Sequence, residues 1–82
     1  MYRILTEEKN VEQVTATLTS LGLDFTLYRA RGSWHGQEEN SLAIELDQIP
    51  RSLAESTAMA IKSLNEQEAV LLQEIPVVSK LL

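Results

Sequence analysis

The spacing of apolar residues switches along the chain between that of strands and that of helices. The order of these switches limits the folds that the chain can adopt. Stretches rich in β-forming residues, two of which alternate cleanly, predict strands. Between them, apolar residues recur at the spacing of one helical face. The predicted strands are 2–6, 25–31, 41–46 and 69–75, and the predicted helices are 11–21 and a second one that begins at Pro50 or Ser52 and ends at Asn65.

This β-α-β-β-α-β order predicts an α+β protein with the ferredoxin-like fold. Two right-handed crossovers and a central hairpin give an antiparallel sheet with both helices on one face. The 82 residues are expected to form a single domain, 1–82. Its core should be thin, because a chain this short buries only about 60% of its extended surface.

Residues with strong preferences for helix ends mark the boundaries of the two helices. Asn10 is predicted to cap the first helix, with Gln13 completing a capping box, and Gly22 is predicted to end it with positive φ. Pro50 suits a first helical position. The buried stripe of the second helix is predicted to contain Leu53, Thr57, Ala60, Ile61 and Leu64.

Charge and composition exclude several classes of partner. The net charge of -5 argues against binding to duplex nucleic acid, which needs a concentrated basic surface. The chain has no cysteine, so it offers neither a disulfide nor a thiolate metal site. Its apolar runs are short and its first residues lack a basic-then-apolar signal pattern. These features predict a cytoplasmic protein without a membrane partner, a metal or a cofactor.

The segment between the two central strands holds the residues that are rarest in this chain. Residues 32–40 are predicted to form a connecting loop that contains the only Trp, the only His and two of the three Gly. Gly32 and Gly36 are expected to supply turn conformations with positive φ, with close approach to a phosphate as the alternative. If the chain binds a ligand, this segment is where we expect the site.

The motifs of this segment resemble those of a known group of proteins. Phe25-Thr26 and the run Ala30-x-Gly32-x-Trp34-x-Gly36, followed by Glu39-x-Ser41-Leu42, resemble a family of small uncharacterised bacterial and phage proteins. The stretch 65–71, Asn-Glu-Gln-Glu-Ala-Val-Leu, is similar to that family's entry into its last strand. The resemblance implies no particular activity.

A looser resemblance exists at the level of the fold. The order of elements is similar to that of PII-type signalling proteins, which are ferredoxin-like trimers that bind nucleotides between subunits. Their nucleotides lie near the loop between the second and third strands and the loop before the last strand. Residues 32–41 and 65–70 occupy the same topological positions here. Fold-level analogy of this kind does not by itself establish a function.

The predicted site combines a pair of cations with an aromatic residue. Arg29 and Arg31 are either solvated charges of an edge strand or a clamp for a phosphate or carboxylate. Trp34 either caps the core or stacks on a base. Glu39 is expected to pair with one of the two arginines across the hairpin. The expected ligand-binding residues are Arg29, Arg31, Trp34, His35, Gln37, Glu39 and Ser41.

Catalysis is the least favoured of the functions considered. His35 could act as a general base, the role that histidine most often takes in catalysis, but a surface loop residue is the simpler interpretation. Ser33 and Ser41 have no identifiable triad partner. We therefore expect a non-catalytic protein that binds and sequesters a small nucleotide-like anion, a role suited to a phage protein. The alternatives are a protein-protein interaction module or inhibitor of a host enzyme and, less favoured, a small enzyme.

The last residues predict self-association. Val77, Val78, Leu81 and Leu82 follow Pro76, after the core is complete. Leaving these aliphatic side chains in water forfeits roughly 1.5–3 kcal/mol each relative to burial, and monomers seldom expose such a patch. We expect a homo-oligomer in which this segment pairs with a neighbour's sheet edge or packs on the open face of the sheet.

Overall fold

The computed structural model describes the backbone of residues 1–82 and every side chain except that of Trp34. The elements are β1 (Tyr2–Glu7), α1 (Val11–Ser20), β2 (Phe25–Trp34), β3 (Gln37–Leu46), α2 (Arg51–Leu64) and β4 (Leu71–Glu74). The strands form one antiparallel sheet in the order β2-β3-β1-β4. This architecture confirms the predicted ferredoxin-like α+β fold.

The core lies between the two helices and one face of the sheet. Alternation along β3 places Leu42, Ile44 and Leu46 on this face, each fully buried. Ile44 lies at the centre of the sheet, opposite Ile4 of β1 and Leu27 of β2. The helices complete the core with Val14, Leu18, Ala58 and Ile61.

The first helix ends as its sequence predicts but begins differently. Gly22 has a φ of 71°, its N–H bonds the Thr19 carbonyl at 3.0 Å, and the Leu23 N–H bonds the Leu18 carbonyl at 3.3 Å. This pair of bonds is a Schellman motif. The predicted capping box is wrong: Asn10 has a φ of 53° and makes no side-chain cap bond. Its amide is used in a tertiary contact described below.

The second helix is rotated slightly from its predicted orientation. Pro50 is the residue before the first helical position, and the helix begins at Arg51. Ala60, predicted to be buried, is exposed, whereas Ala54 and Ala58 are buried together with Thr57 and Ile61. The buried positions follow the i, i+3, i+4, i+7 pattern of one helical face. Alanine at two of these positions leaves room for the helix to approach the sheet closely.

Glu66 follows α2 in a conformation that favours glycine. Its φ is 52°, its N–H bonds the Ser63 carbonyl at 3.2 Å, and the Gln67 N–H bonds the Lys62 carbonyl at 3.0 Å. A residue with a Cβ is strained there. We expect Glu66→Gly to raise the free energy of unfolding by about 1 kcal/mol, measured by urea denaturation. The control, Ser63→Gly inside the helix, should lower it by a similar amount; destabilisation by Glu66→Gly would contradict the assigned strain.

The connection between β2 and β3 differs most from its prediction. Residues 32–40 are not a loop, because β2 continues to Trp34 and β3 begins at Gln37. A two-residue turn joins them, with His35 at φ 50° and Gly36 at φ 78°. Positive φ at both central residues matches a type I′ turn, whose twist suits a hairpin. Gly36 thus has the predicted positive φ, whereas Gly32 does not.

Candidate functional site

The β2–β3 hairpin extends well beyond the rest of the sheet. Pairing of β1 with β3 ends at Glu7, opposite Ser41, whereas β2 and β3 remain paired as far as Trp34 and Gln37. Residues 31–40 therefore form a projecting two-stranded ribbon, here called the hairpin arm. Its described side chains are all exposed.

The two predicted arginines lie on the side of the hairpin that faces the helices. Arg29 Nε is 2.6 Å from Glu8 Oε1, in the turn after β1. Arg31 pairs with Glu38, its diagonal neighbour across the arm. The carboxylate partners are therefore Glu8 and Glu38, and the prediction that Glu39 would pair with an arginine is wrong. The arginine side chains are 78% and 72% exposed, so each ion pair contributes little to stability.

The other predicted site residues lie on the opposite face or at the tip of the arm. Alternation puts Gln37, Glu39 and Ser41 on the face away from the arginines. His35 is exposed in the turn. The Trp34 side chain, predicted to cap the core or stack on a base, lies outside the described residues. The predicted set is therefore divided between two faces rather than gathered around one pocket.

An open groove of about 550 Å³ lies where β1 ends and the hairpin arm begins. Its walls come from the arm and from the segment that leads into β4, the two stretches singled out in the sequence. Its charged lining residues are Glu7 and Glu39, and Leu5, Val70 and Leu71 supply its largest apolar side chains. The remaining lining residues are Thr6, Gly32, Ser33, Asn40, Ser41, Gln67 and Ala69.

A buried polar network holds one wall of the groove in place. Asn65 is only 1% exposed, and its Nδ2 donates to Thr6 Oγ1 at 3.1 Å and to Gln67 Oε1 at 3.2 Å. Its Oδ1 accepts a bond from Asn10 Nδ2 at 3.1 Å. The Thr6 hydroxyl also donates to Gln67 Oε1. The sequence signal for this network is a polar residue one turn after Ile61, but the same pattern is typical of a helix end.

The face of the sheet opposite the helices carries a small polar cluster. The Tyr28 hydroxyl donates to Glu45 Oε2 at 2.9 Å, and Arg3 lies 3.3 Å from the same oxygen. The hydrogen bond to the Glu45 carboxylate, with a smaller contribution from desolvation, raises the pKa of Tyr28 above its ordinary value of 10.0. Arg3 opposes this shift.

Glu45→Gln is expected to bring the pKa of Tyr28 back toward its ordinary value, because the accepting carboxylate is lost. Ultraviolet titration of tyrosinate in a Tyr2→Phe background measures Tyr28 alone. The folded pKa lies above the unfolded value of about 10, so the contribution to stability is fully present below that pH. It is lost as the pH rises through the folded pKa. An unchanged pKa in Glu45→Gln would show that another group causes the shift.

Among the residues the structure describes, no group of three acidic or histidine side chains is arranged to hold a metal ion. No helix in the described chain is both long and apolar enough to cross a membrane. Comparison with protein-family models and with curated proteins found no match to this chain.

Proposed function

We propose that the protein is a non-catalytic binding protein that contacts a protein partner through the hairpin arm. The length of the arm carries this proposal. The described side chains of residues 31–40 are all exposed, and a two-stranded ribbon adds little stability of its own. Exposed segments held by a rigid scaffold are where binding residues concentrate. The fold does not need the hairpin arm for its stability, and binding to a partner protein would explain why the chain has it.

The charges around the arm favour a protein surface over a small anion inside the groove. Glu7 and Glu39 line the groove, so an anion there would meet two carboxylates. Small-ligand sites also enclose most of the ligand, whereas this groove is open. A protein partner needs no enclosure and can contact both faces of the arm, with its acidic groups near Arg31 and its basic groups near Glu39.

A shortened arm tests this proposal. Ala30 and Ser41 are a directly opposed pair, so replacing residues 31–40 by Asn-Gly closes the hairpin with a favourable turn and keeps the core intact. Affinity capture from a lysate of the source cells, followed by titration with the purified partner, compares this variant with the intact chain. We expect binding to weaken at least 100-fold at unchanged melting temperature.

The matched control changes an exposed surface away from the arm. Glu55→Ala alters a side chain of α2 that is 60% exposed, and it should leave the affinity for the partner unchanged. Equal binding by the intact and shortened chains would locate the contact surface elsewhere. Loss of binding in the Glu55→Ala control would likewise contradict the role of the arm.

A nucleotide-like anion held by the two arginines is the second candidate. Arg29 and Arg31 project from one face two residues apart, and both are largely exposed. Planar guanidinium groups suit phosphate oxygens, although an anion would have to displace Glu8 and Glu38. A host nucleotide signal is the first ligand class to test, because its phosphates carry the oxygens that guanidinium groups bind.

Calorimetric titration with mono-, di- and cyclic nucleotides tests the second candidate. We expect Arg29→Ala and Arg31→Ala each to weaken binding about tenfold, the loss of a charged hydrogen bond. Each should change stability by less than about 0.5 kcal/mol. Arg51→Ala removes an arginine that is 68% exposed at another place, and it should bind as the intact chain does. Binding unaffected by the first two variants would exclude the arginine clamp.

A further inference from the structure

The groove lies beside a free strand edge of β3. The two-residue turn makes Trp34 and Gln37 a hydrogen-bonded pair, so the next residues of β3 alternate in the direction of their backbone groups. By this alternation Glu38 and Asn40 direct their N–H and C=O groups away from β2. Pairing with β1 stops at Glu7, opposite Ser41. The groove occupies the position that a longer β1 would fill.

The chain also contains an exposed apolar segment outside the sheet. Residues 77–82 belong to no helix or strand, and Val78, Leu81 and Leu82 are as exposed as in an extended chain. Valine favours the extended conformation of strands. When extended, Val78, Lys80 and Leu82 share one face. Lys80 is the only charged side chain of this segment.

This segment cannot pair with the free edge of β3 in its own molecule. Ile75 pairs with Met1, at the end of β1 farthest from the groove. Glu7 is six residues further along β1, a distance of about 20 Å. Starting from Ile75, an extended chain reaches about 11 Å at Val78 and about 18 Å at Lys80. Residues 77–80 therefore end short of Glu7, and Glu38 and Asn40 lie beyond it, so the segment cannot pair with them.

We propose that residues 77–82 of a second copy of this chain add to the free edge of β3 and fill the groove. Main-chain bonds would form with Glu38 and Asn40, as in other cases of strand addition. The apolar side chains of the segment match Leu5 and Leu71 in the groove. This interface uses the β3 edge of the arm, but self-association of the purified chain tests it without any other partner.

The charge of the groove is complementary to that of residues 77–82. The charged residues of the groove are both acidic, and Glu7 is already 3.2 Å from Lys9. Glu39 therefore becomes the contact of Lys80 from the incoming segment. The face that carries Lys80 between Val78 and Leu82 has the apolar-basic-apolar pattern that fits an apolar groove with an acidic rim.

Light scattering at low salt tests the interface, because screening weakens exposed charge pairs. The intact chain should have a mass that is a multiple of 9.2 kDa, and a chain truncated after Pro76 should be a monomer. Glu39→Lys and Lys80→Glu should each raise the dissociation constant about fivefold or more. The double charge swap should restore it to within about twofold, whereas the control Glu55→Lys should leave it unchanged.

Cysteine cross-linking gives a second measurement that does not depend on charge. The chain has no cysteine, so a copy with Asn40→Cys mixed with a copy with Ser79→Cys reports their contact as a mixed disulfide. Mixed cross-links above the level given by Lys62→Cys with Ser79→Cys support the proposal.

Three results would overturn the proposal. The first is a monomeric intact chain, which would show that no second copy fills the groove. The second is an oligomer that persists after truncation, which would show that other residues form the interface. The third result is that truncation dissociates the oligomer, but neither charge reversal weakens it and no mixed disulfide forms. The segment would then bind another surface. Truncation after Pro76 keeps the arm, so partner capture by the truncated chain tests the proposed function separately.

Discussion

Ile44→Ala is expected to lower the free energy of unfolding by about 3–4 kcal/mol, because the substitution removes most of a buried side chain. Ile44 is fully buried in β3 and lies between Ile4 and Leu27 of the flanking strands. Truncation removes apolar contacts and leaves a cavity that paired strands cannot close. Small domains have only about 5–15 kcal/mol of total stability, so the urea midpoint should fall steeply.

Leu71→Ala provides the control for this substitution, with both variants made in the chain truncated after Pro76 so that no second copy fills the groove. Leu71 also lies in a strand paired with β1, but the residue is 51% exposed. Its substitution should cost less than about 1 kcal/mol, because about half of the residue is already hydrated. Similar losses in the two variants would contradict a core centred on Ile44.

The fold could be predicted where one face of an element is buried. In β3 the alternation of Leu42, Ile44 and Leu46 is visible because the helices cover that face and solvent or small neighbours lie on the other. The arm shows no such pattern, because its described side chains are exposed on both faces. Hydrophobic period is a signal of burial rather than of strand backbone. His35-Gly36 is also a weaker turn signal than Asn-Gly.

The sequence singled out residues 29–41 as a candidate site, but it did not predict how their side chains are arranged. Once residues 32–40 are strands, the two-residue period separates Arg31 from Glu39 onto opposite faces. Treating them as a loop concealed that separation. The partner of Arg29, Glu8, comes from the turn after β1 and depends on how the hairpin crosses that turn. A contact of this kind is tertiary, so local pattern gives no signal for it.

The side chain of Asn10 is a second case in which a local sequence pattern does not predict a tertiary contact. Asn10 fits the local rule for a helix cap, yet its side chain bonds Asn65, 55 residues away. A buried amide that lacks a partner costs about 1–3 kcal/mol, which exceeds the stabilisation from many exposed caps. Satisfying the buried group therefore prevails over the local preference. Only the packing of α2 against β1 reveals that Asn65 is buried.

Asn65→Ala is expected to lower the free energy of unfolding by about 2–4 kcal/mol. The substitution leaves the Thr6 hydroxyl and the Gln67 amide without their buried partner and opens a small cavity. Urea denaturation at constant pH measures the loss. The exposed neighbour Ser63→Ala should change stability by less than about 0.5 kcal/mol.

Asn65→Asp separates the hydrogen bonds from the packing, because it keeps nearly the same volume. The carboxylate still accepts from Asn10 but can no longer donate to Thr6 or Gln67. We expect a loss at least as large as that of Asn65→Ala, since an ionised group would be buried. A near-neutral Asn65→Asp would mean that the amide donors contribute little. Because Thr6 and Gln67 both line the groove, loss of these bonds should also loosen the wall that faces the free edge of β3.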